Sequence, residues 1–152
     1  MKIKRINLET NQTEKGQSLV ELALILVILL LLLSGIFDLG RAIFTQFALQ
    51  DSAEEGLVYG IAFPGKCGEI EQRVRDNLQN SILPSNPPPT VSIKIDSNAC
   101  VEDATNLVYG KPMDVIVSST FVISMPFLSG NTITLRGTAN GTILRPPPVV
   151  TP

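Results

Sequence analysis

The sequence predicts an α+β fold with a long N-terminal helix, a second helix and a small antiparallel sheet of three to four strands. Three observations predict it. Residues 22–33 are all apolar, apolar residues then recur at three- and four-residue steps, and the last third of the chain alternates apolar with polar residues. The first two patterns are typical of helices and the third of strands. A chain of 152 residues has room for one modest domain and accessory segments.

The first helix is predicted to cross a membrane. Gln17–Phe37 is 21 residues long and its only charge is Glu21; a helix of this length covers about 30 Å, the hydrocarbon thickness of a bilayer. Residues 1–16 carry four bases and two acids, whereas the rest of the chain is acidic. Since the basic flank of such a helix stays in the cytoplasm, we predict a single-pass protein of the cytoplasmic (inner) membrane. Its N-terminus is then cytoplasmic and everything after Asp38 extracytoplasmic.

A cleaved secretory signal is the alternative to this anchor. Such signals have apolar cores of about 7 to 15 residues followed by a small-x-small cleavage site. The apolar stretch here is longer, and Gly40-Arg41-Ala42 offers only a weak site beside a charge. We therefore favour a retained helix.

The helix is predicted to continue outside the membrane over residues 38–64. Ser34-Gly35 is a predicted soft point of the helix. After it, one helical face is apolar and holds Ile36, Leu39, Ile43 and Phe47. The helix should end near Gly60 to Gly65. The Gly56-x-x-x-Gly60 spacing has two interpretations, close approach of two helices or helix termination. We favour termination.

A small α+β domain is predicted over residues 65–145. It should contain a helix at Glu69–Leu83, whose apolar residues are spaced by four, and strands at Val91–Ile95, Asp114–Ile123 and Ile133–Leu135, the last extended or repeated by residues 137–144. Pro84–Pro89 predicts a stiff spacer, with a ligand for a proline-binding domain as the alternative. Residues 146–152 are proline-rich and predict a tail.

Two cysteines, Cys67 and Cys100, follow the apolar block. Outside the cytoplasm such a pair is expected to form a disulfide, with two free buried thiols as the alternative. The bond would close a loop of roughly 30 residues and stabilise the fold by ~3 kcal/mol in the chain-entropy model.

No pattern of catalytic residues is present. The chain lacks histidine, and no nucleophile elbow or phosphate-binding glycine loop is found. We therefore expect a protein that is not an enzyme and has no cofactor and no metal. Glu102-Asp103 supplies too few oxygens for calcium and is interpreted as a solvated loop. The absence of a basic stripe argues against nucleic acid as a partner.

Glu21 is unusual because a charge at the centre of a membrane helix costs about 2.5–3.5 kcal/mol on insertion scales, and less near its ends. One interpretation is a carboxylate that reaches the headgroups; the other is a carboxylate paired with a cation. Gly16-Gln17-Ser18-Leu19-Val20-Glu21 followed by an apolar run resembles type IV prepilins. The similarity narrows to the TadE-like minor pilin family through Gly35-Ile36-Phe37-Asp38-Leu39-Gly40-Arg41-Ala42 and the stretch from Ala48 to Tyr59.

The resemblance implies a subunit of a Tad/Flp-type pilus. Residues 1–16 would be a leader that a prepilin peptidase removes by cutting between Gly16 and Gln17. Glu21, then the fifth residue, would pair with the Gln17 amine of a neighbouring subunit and set the register of assembly. The implied partners are the prepilin peptidase, other pilin and pseudopilin subunits, the assembly platform in the inner membrane and the lipid bilayer.

Two other functions remain as alternatives. One is a single-pass anchored binding module that presents its outer domain to an extracellular ligand and never enters a filament. The other is an anchored enzyme, for which the sequence offers no candidate residue.

Overall fold

The computed structural model describes residues 12–81, 87–102, 110–126 and 130–143. Two helices precede four strands, which confirms the predicted α+β class: α1 (Gln12–Ala62), α2 (Cys67–Ser81), β1 (Thr90–Ile95), β2 (Asn98–Ala99), β3 (Pro112–Val122) and β4 (Thr132–Thr142). Several predictions lie outside the described residues: most of the leader, the start of the proline-rich spacer, Asp103 and the C-terminal tail.

Helix α1 is a single helix of 51 residues. It passes through Ser34-Gly35 without interruption, and the soft point proposed there stays a prediction. The helix ends in the predicted region, where Phe63 N donates to Tyr59 O (2.9 Å) and Pro64 follows. Proline cannot continue a helix because its ring clashes with the preceding turn.

Helix α2 begins two residues earlier than predicted, so Cys67 is its first residue rather than a residue before it. The backbone N–H of Gly68 donates to Glu102 Oε2 (3.1 Å). An acceptor at this position satisfies one of the unpaired donors of a helix N-terminus and favours the helix dipole. Glu102, predicted to be a solvated loop residue, thus caps α2.

The sheet has the strand order β2-β1-β3-β4, and every pair is antiparallel. Asp96 and Ser97 join β1 to β2 with φ values of 50° and 66°, the left-handed conformation that a type I′ hairpin turn requires at both positions. The short strand β2 was not predicted. Strand β4 is one continuous strand, so residues 137–142 extend Ile133–Leu135 and do not form a separate strand.

The core lies between one face of the sheet and the two helices. Alternate residues of β3 are buried against both helices, and the largest fully buried side chains of the described residues are Leu49, Ser52, Ile70, Val74, Met113, Val115 and Val117. No described element covers the other face of the sheet, which is mostly polar. The domain therefore has two layers, and α1 belongs both to its core and to the segment that precedes it.

Candidate functional site

The predicted cleavage site lies near the start of α1. Gly16 and Gln17 are exposed helical residues, and a Cβ added to Gly16 would meet no atom within 4 Å. Glu21 is exposed one turn further on, and no described residue forms an ion pair with it. The geometry of a single chain leaves the Gly16–Gln17 bond and the Glu21 carboxylate open to other molecules, and the roles of both remain predictions.

The apolar half of α1 stands clear of the domain. All residues from 16 to 30 are exposed, and no part of the apolar window is buried within the chain. Among the described residues, α1 is the one helix whose length and composition allow it to cross a membrane. Such a surface requires lipid or other apolar chains around it, because exposed apolar patches of this extent are rare on soluble monomers.

The exposed apolar surface continues from Ile36 to Phe47 on one face of α1. Its side chains are 47–67% exposed: Ile36, Leu39, Ile43, Phe44 and Phe47. The domain packs on the opposite face, through Leu49 and its neighbours. The spacing seen in the sequence thus identifies the outward face of the helix, not the face that contacts the core.

Asp38 links the turn after β3 to α1 through hydrogen bonds. Its side chain is largely buried, and Oδ2 accepts hydrogen bonds from the backbone N–H groups of Ser124 (2.9 Å) and Met125 (2.6 Å). Arg41, one turn later, donates from Nη1 to Ser124 Oγ (3.1 Å) and lies 3.6 Å from Asp38 Oδ1. Its guanidinium also lies 5.2 Å from the centre of the Phe121 ring. In the sequence, Asp38 is recognisable only as the polar end of the membrane segment, and no local signal indicates its tertiary contacts.

Two glutamines of α1 bind the backbone of β4, the edge strand. Gln50 Nε2 donates to Thr138 O (3.0 Å), and Thr138 N donates to Gln50 Oε1 (3.1 Å). Gln46 Nε2 donates to Arg136 O (2.8 Å). The amide side chains replace a neighbouring strand, so part of the edge no longer offers free groups for pairing with another chain.

Among the described glycines, Gly137 lies closest to the backbone of another element. A Cβ on Gly137 would lie 2.3 Å from the carbonyl carbon and oxygen of Leu49 and 2.6 Å from Gln50 N. Only glycine allows the two backbones to lie this close, and the contact brings the two glutamines within reach of β4. Nothing in the local sequence of β4 shows that its Gly137 faces the helix backbone.

Gly56 and Gly60 lie against side chains of the core. A Cβ on Gly56 would meet Val74 Cγ2 at 2.4 Å, and one on Gly60 would meet Met113 Sδ at 2.6 Å. Helix termination was therefore the wrong interpretation of the Gly-x-x-x-Gly spacing. The glycines let α2 and β3 pack closely against α1 within one chain.

A polar cluster lines a cleft of about 400 Å³ between the C-terminal part of α1 and helix α2. Tyr59 donates to Glu69, which also accepts from Lys66 Nζ (2.5 Å). These bonds lower the pKa of Glu69, chiefly through Lys66, and the bond to the carboxylate raises the pKa of Tyr59. The Arg73 guanidinium stacks on Tyr59, 4.5 Å from the ring centre. The described residues contain no group of side chains suited to a metal ion, and the cluster is a set of surface contacts that joins the helices.

Cys67 and Cys100 form a disulfide, with Cα atoms 5.9 Å apart. The bond joins the first residue of α2 to the residue after β2 and thereby links the helix layer to the edge of the sheet. Its two residues are 33 positions apart in the sequence.

Replacing both cysteines by serine is expected to lower the free energy of unfolding by about 3 kcal/mol, because the bond restricts the unfolded chain. Denaturant unfolding of the full chain in detergent, before and after reduction, measures this. The reduced wild type should match the double variant. An unchanged midpoint in both would contradict the stabilising role.

Comparisons with known proteins distinguish most of α1 from the rest of the chain. The family model of TadE-like proteins matches residues 16–57. No curated protein and no solved structure gives a significant match. The matched segment contains the exposed apolar helix, Asp38, Arg41 and both glutamines of the β4 contact, whereas α2 and the sheet lie outside it. Residues 16–57 are therefore TadE-like, which confirms the resemblance predicted from the sequence.

Proposed function

We propose that this chain is a minor pilin or pseudopilin with a structural, non-catalytic role in the assembly of a Tad/Flp-type pilus. A prepilin peptidase removes residues 1–16 by cutting after Gly16, and Gln17–Phe37 anchors the mature protein in the cytoplasmic membrane. The observation that carries the proposal is the TadE-like match on a helix whose apolar surface the domain leaves bare.

The bare helix suits a subunit that exchanges lipid for partner helices. Lipid surrounds Leu19–Phe37 before assembly, and the helices of other pilins replace it afterwards. Without a hydrophobic gain between helices in lipid, association depends on van der Waals packing and on interhelical polar contacts. A polar contact near the end of the helix would therefore have a large influence on register.

Glu21 is proposed to supply that contact by pairing with the Gln17 amine of a neighbouring subunit. The carboxylate is exposed on the isolated chain, so it needs no rearrangement to reach a partner. Pairing offsets the desolvation of both charges, whereas removal of one partner leaves the other uncompensated.

Glu21→Ala is expected to leave cleavage and membrane insertion intact and to reduce incorporation into the pilin complex by about tenfold or more, since losing one partner of a buried ion pair costs several kcal/mol. Co-purification of the variant with the other subunits, normalised to its amount in the membrane, measures this. Glu21→Gln keeps the shape without the charge and should behave like the alanine variant.

Asp51→Ala is the matched control, because it removes one exposed carboxylate from the same helix outside the proposed helix–helix interface and should be incorporated at close to the wild-type level. Normal incorporation of both Glu21 variants would rule out the proposed register contact. A chain that inserts and is cleaved but never joins other pilins, even as wild type, would instead support the anchored binding module.

A further inference from the structure

The end of the sheet nearest the apolar helix carries a second candidate contact with the membrane. We call it the sheet tip, and it consists of Val122, Ser124, Met125, Pro126 and Ile133. We propose that the sheet tip rests in the outer leaflet of the bilayer that α1 crosses, so that the outer domain contacts lipid directly. This inference rests on the proposed anchoring of α1.

The main observation is that Met125 lies against α1 at the level of Gly35. Its Cε methyl lies 3.1 Å from the place that a Cβ would take on Gly35. Gly35 lies two residues inside the predicted membrane segment, and each helical residue rises about 1.5 Å. A bilayer that covers Gln17–Phe37 therefore reaches the Met125 methyl.

Hydrogen bonds fix the position of the sheet tip along α1, and therefore its depth relative to the membrane segment. Asp38 accepts from the backbone N–H groups of both Ser124 and Met125, and Arg41 binds the Ser124 hydroxyl. Moving the tip away from the membrane boundary would break these bonds. The tip and the outer end of the membrane segment thus form one unit.

The backbone donors of the tip are suited to an environment without water. Ile123 N donates to Asn131 O (3.0 Å), the next two N–H groups donate to Asp38, and Pro126 has none. An unsatisfied backbone group in hydrocarbon costs several kcal/mol. Four successive residues therefore present no free N–H group to the lipid.

The side chains of the sheet tip are also suited to lipid. Residues 122–126 carry no charge, and Val122 and Ile133 are 45% and 42% exposed. The half-exposed Arg41 guanidinium lies beside the tip, at the level where lipid phosphates are found. The opposite end of the sheet is charged, since Lys111 pairs there with Asp96 (3.1 Å). Lipid is the occupant that matches an uncharged tip at this depth.

The chain has no tryptophan, so single-tryptophan variants of the full chain can report the depth of chosen positions. Four variants are reconstituted in two kinds of phosphatidylcholine vesicle, with acyl chains brominated near the headgroup or near the chain end, so that both shallow and central positions can be quenched: Leu26→Trp, Met125→Trp, Val122→Trp and Thr142→Trp. Leu26 lies in the apolar helix, and Thr142 ends β4 about 30 Å from the tip, ten residues at 3.3 Å each. Val122 points away from the core, so its replacement tests the tip even if Met125→Trp disturbs the contact with Gly35.

The Val122 and Met125 tryptophans are expected to lose roughly half of their fluorescence or more, because shallow bromines lie within the outer leaflet, while the Thr142 tryptophan keeps its intensity. Quenching at Leu26 without quenching at either tip position would overturn the lipid contact and leave the anchoring intact. No quenching at Leu26 would refute the anchoring itself. Quenching at the tip that appears only on dilution of the protein in lipid would show that a second copy covers the tip, which also overturns the proposal.

Discussion

Gly137→Ala is expected to destabilise the outer domain by about 3 kcal/mol or more. Overpacking typically costs 1–3 kcal/mol where side chains can adjust. Here the new Cβ would lie 2.3 Å from the Leu49 backbone, and a helix backbone cannot rotate away. Separating α1 from β4 would also break the bonds from Gln46 and Gln50 to the edge strand. The midpoint of thermal unfolding of the full chain in detergent measures the loss.

Gly141→Ala is the matched control on the same strand and the same face. Its Cβ would meet only the end of the Leu57 side chain, at 3.2 Å, and the Ile61 side chain at 3.5 Å. Since these groups can shift, the expected change is below about 1 kcal/mol, partly offset by the lower entropy of the unfolded chain. Equal effects at the two glycines would contradict the proposed backbone contact.

Asp38→Ala is expected to lower the free energy of unfolding by about 3 kcal/mol, because hydrogen bonds to a charged group contribute about 1.5–3 kcal/mol each and a buried donor left without a partner costs about 1–3 kcal/mol. The variant leaves the N–H groups of Ser124 and Met125 without their acceptor and Arg41 without its carboxylate. Local release of the turn is the expected first event. Hydrogen exchange of these two amides, together with the unfolding midpoint, measures both effects.

Asp38→Asn retains an oxygen acceptor and should lose less stability than the alanine variant. Asp51→Ala is the control on the same helix, since Asp51 is exposed and accepts one long bond from Asn77 (3.3 Å); it should change stability by less than about 0.5 kcal/mol. If the Ser124 and Met125 amides of the Asp38→Ala variant exchange hydrogen at the wild-type rate, Asp38 does not hold the turn in place.

The elements with a strong local signal were predictable from the sequence. The four-residue spacing from Ile70 to Leu78 predicts α2 because this face must be buried, and the β-branched residues of β3 predict a strand whose alternate side chains form the core. The disulfide was predictable because the two cysteines that follow the apolar block allow a single pairing within the chain. In contrast, β2 is two residues long, and its turn uses Asp96 and Ser97 where glycine would have signalled a hairpin.

The contacts that place the domain on α1 were not predictable, since they join residues far apart in the chain. Asp38 bonds to residues 86 and 87 positions away, and Gln50 to one 88 positions away. The apolar face from Ile36 to Phe47 is exposed on the single chain, and its spacing did not show which side of the helix the domain would cover. The domain covers a face where Leu49 lies among small residues, and Ser52, Gly56 and Gly60 permit close approach there.

The central claim is that this chain is a pilin-class subunit matured at Gly16. Its most direct test is the intact mass of the wild-type chain after co-expression with the prepilin peptidase of the same system. We expect a mass that begins at Gln17, rising by about two hydrogens on reduction because one disulfide opens. A full-length mass would contradict the maturation step and leave a plain membrane-anchored domain, and a start between Ile36 and Ile43 would show that the helix is a removed secretory signal.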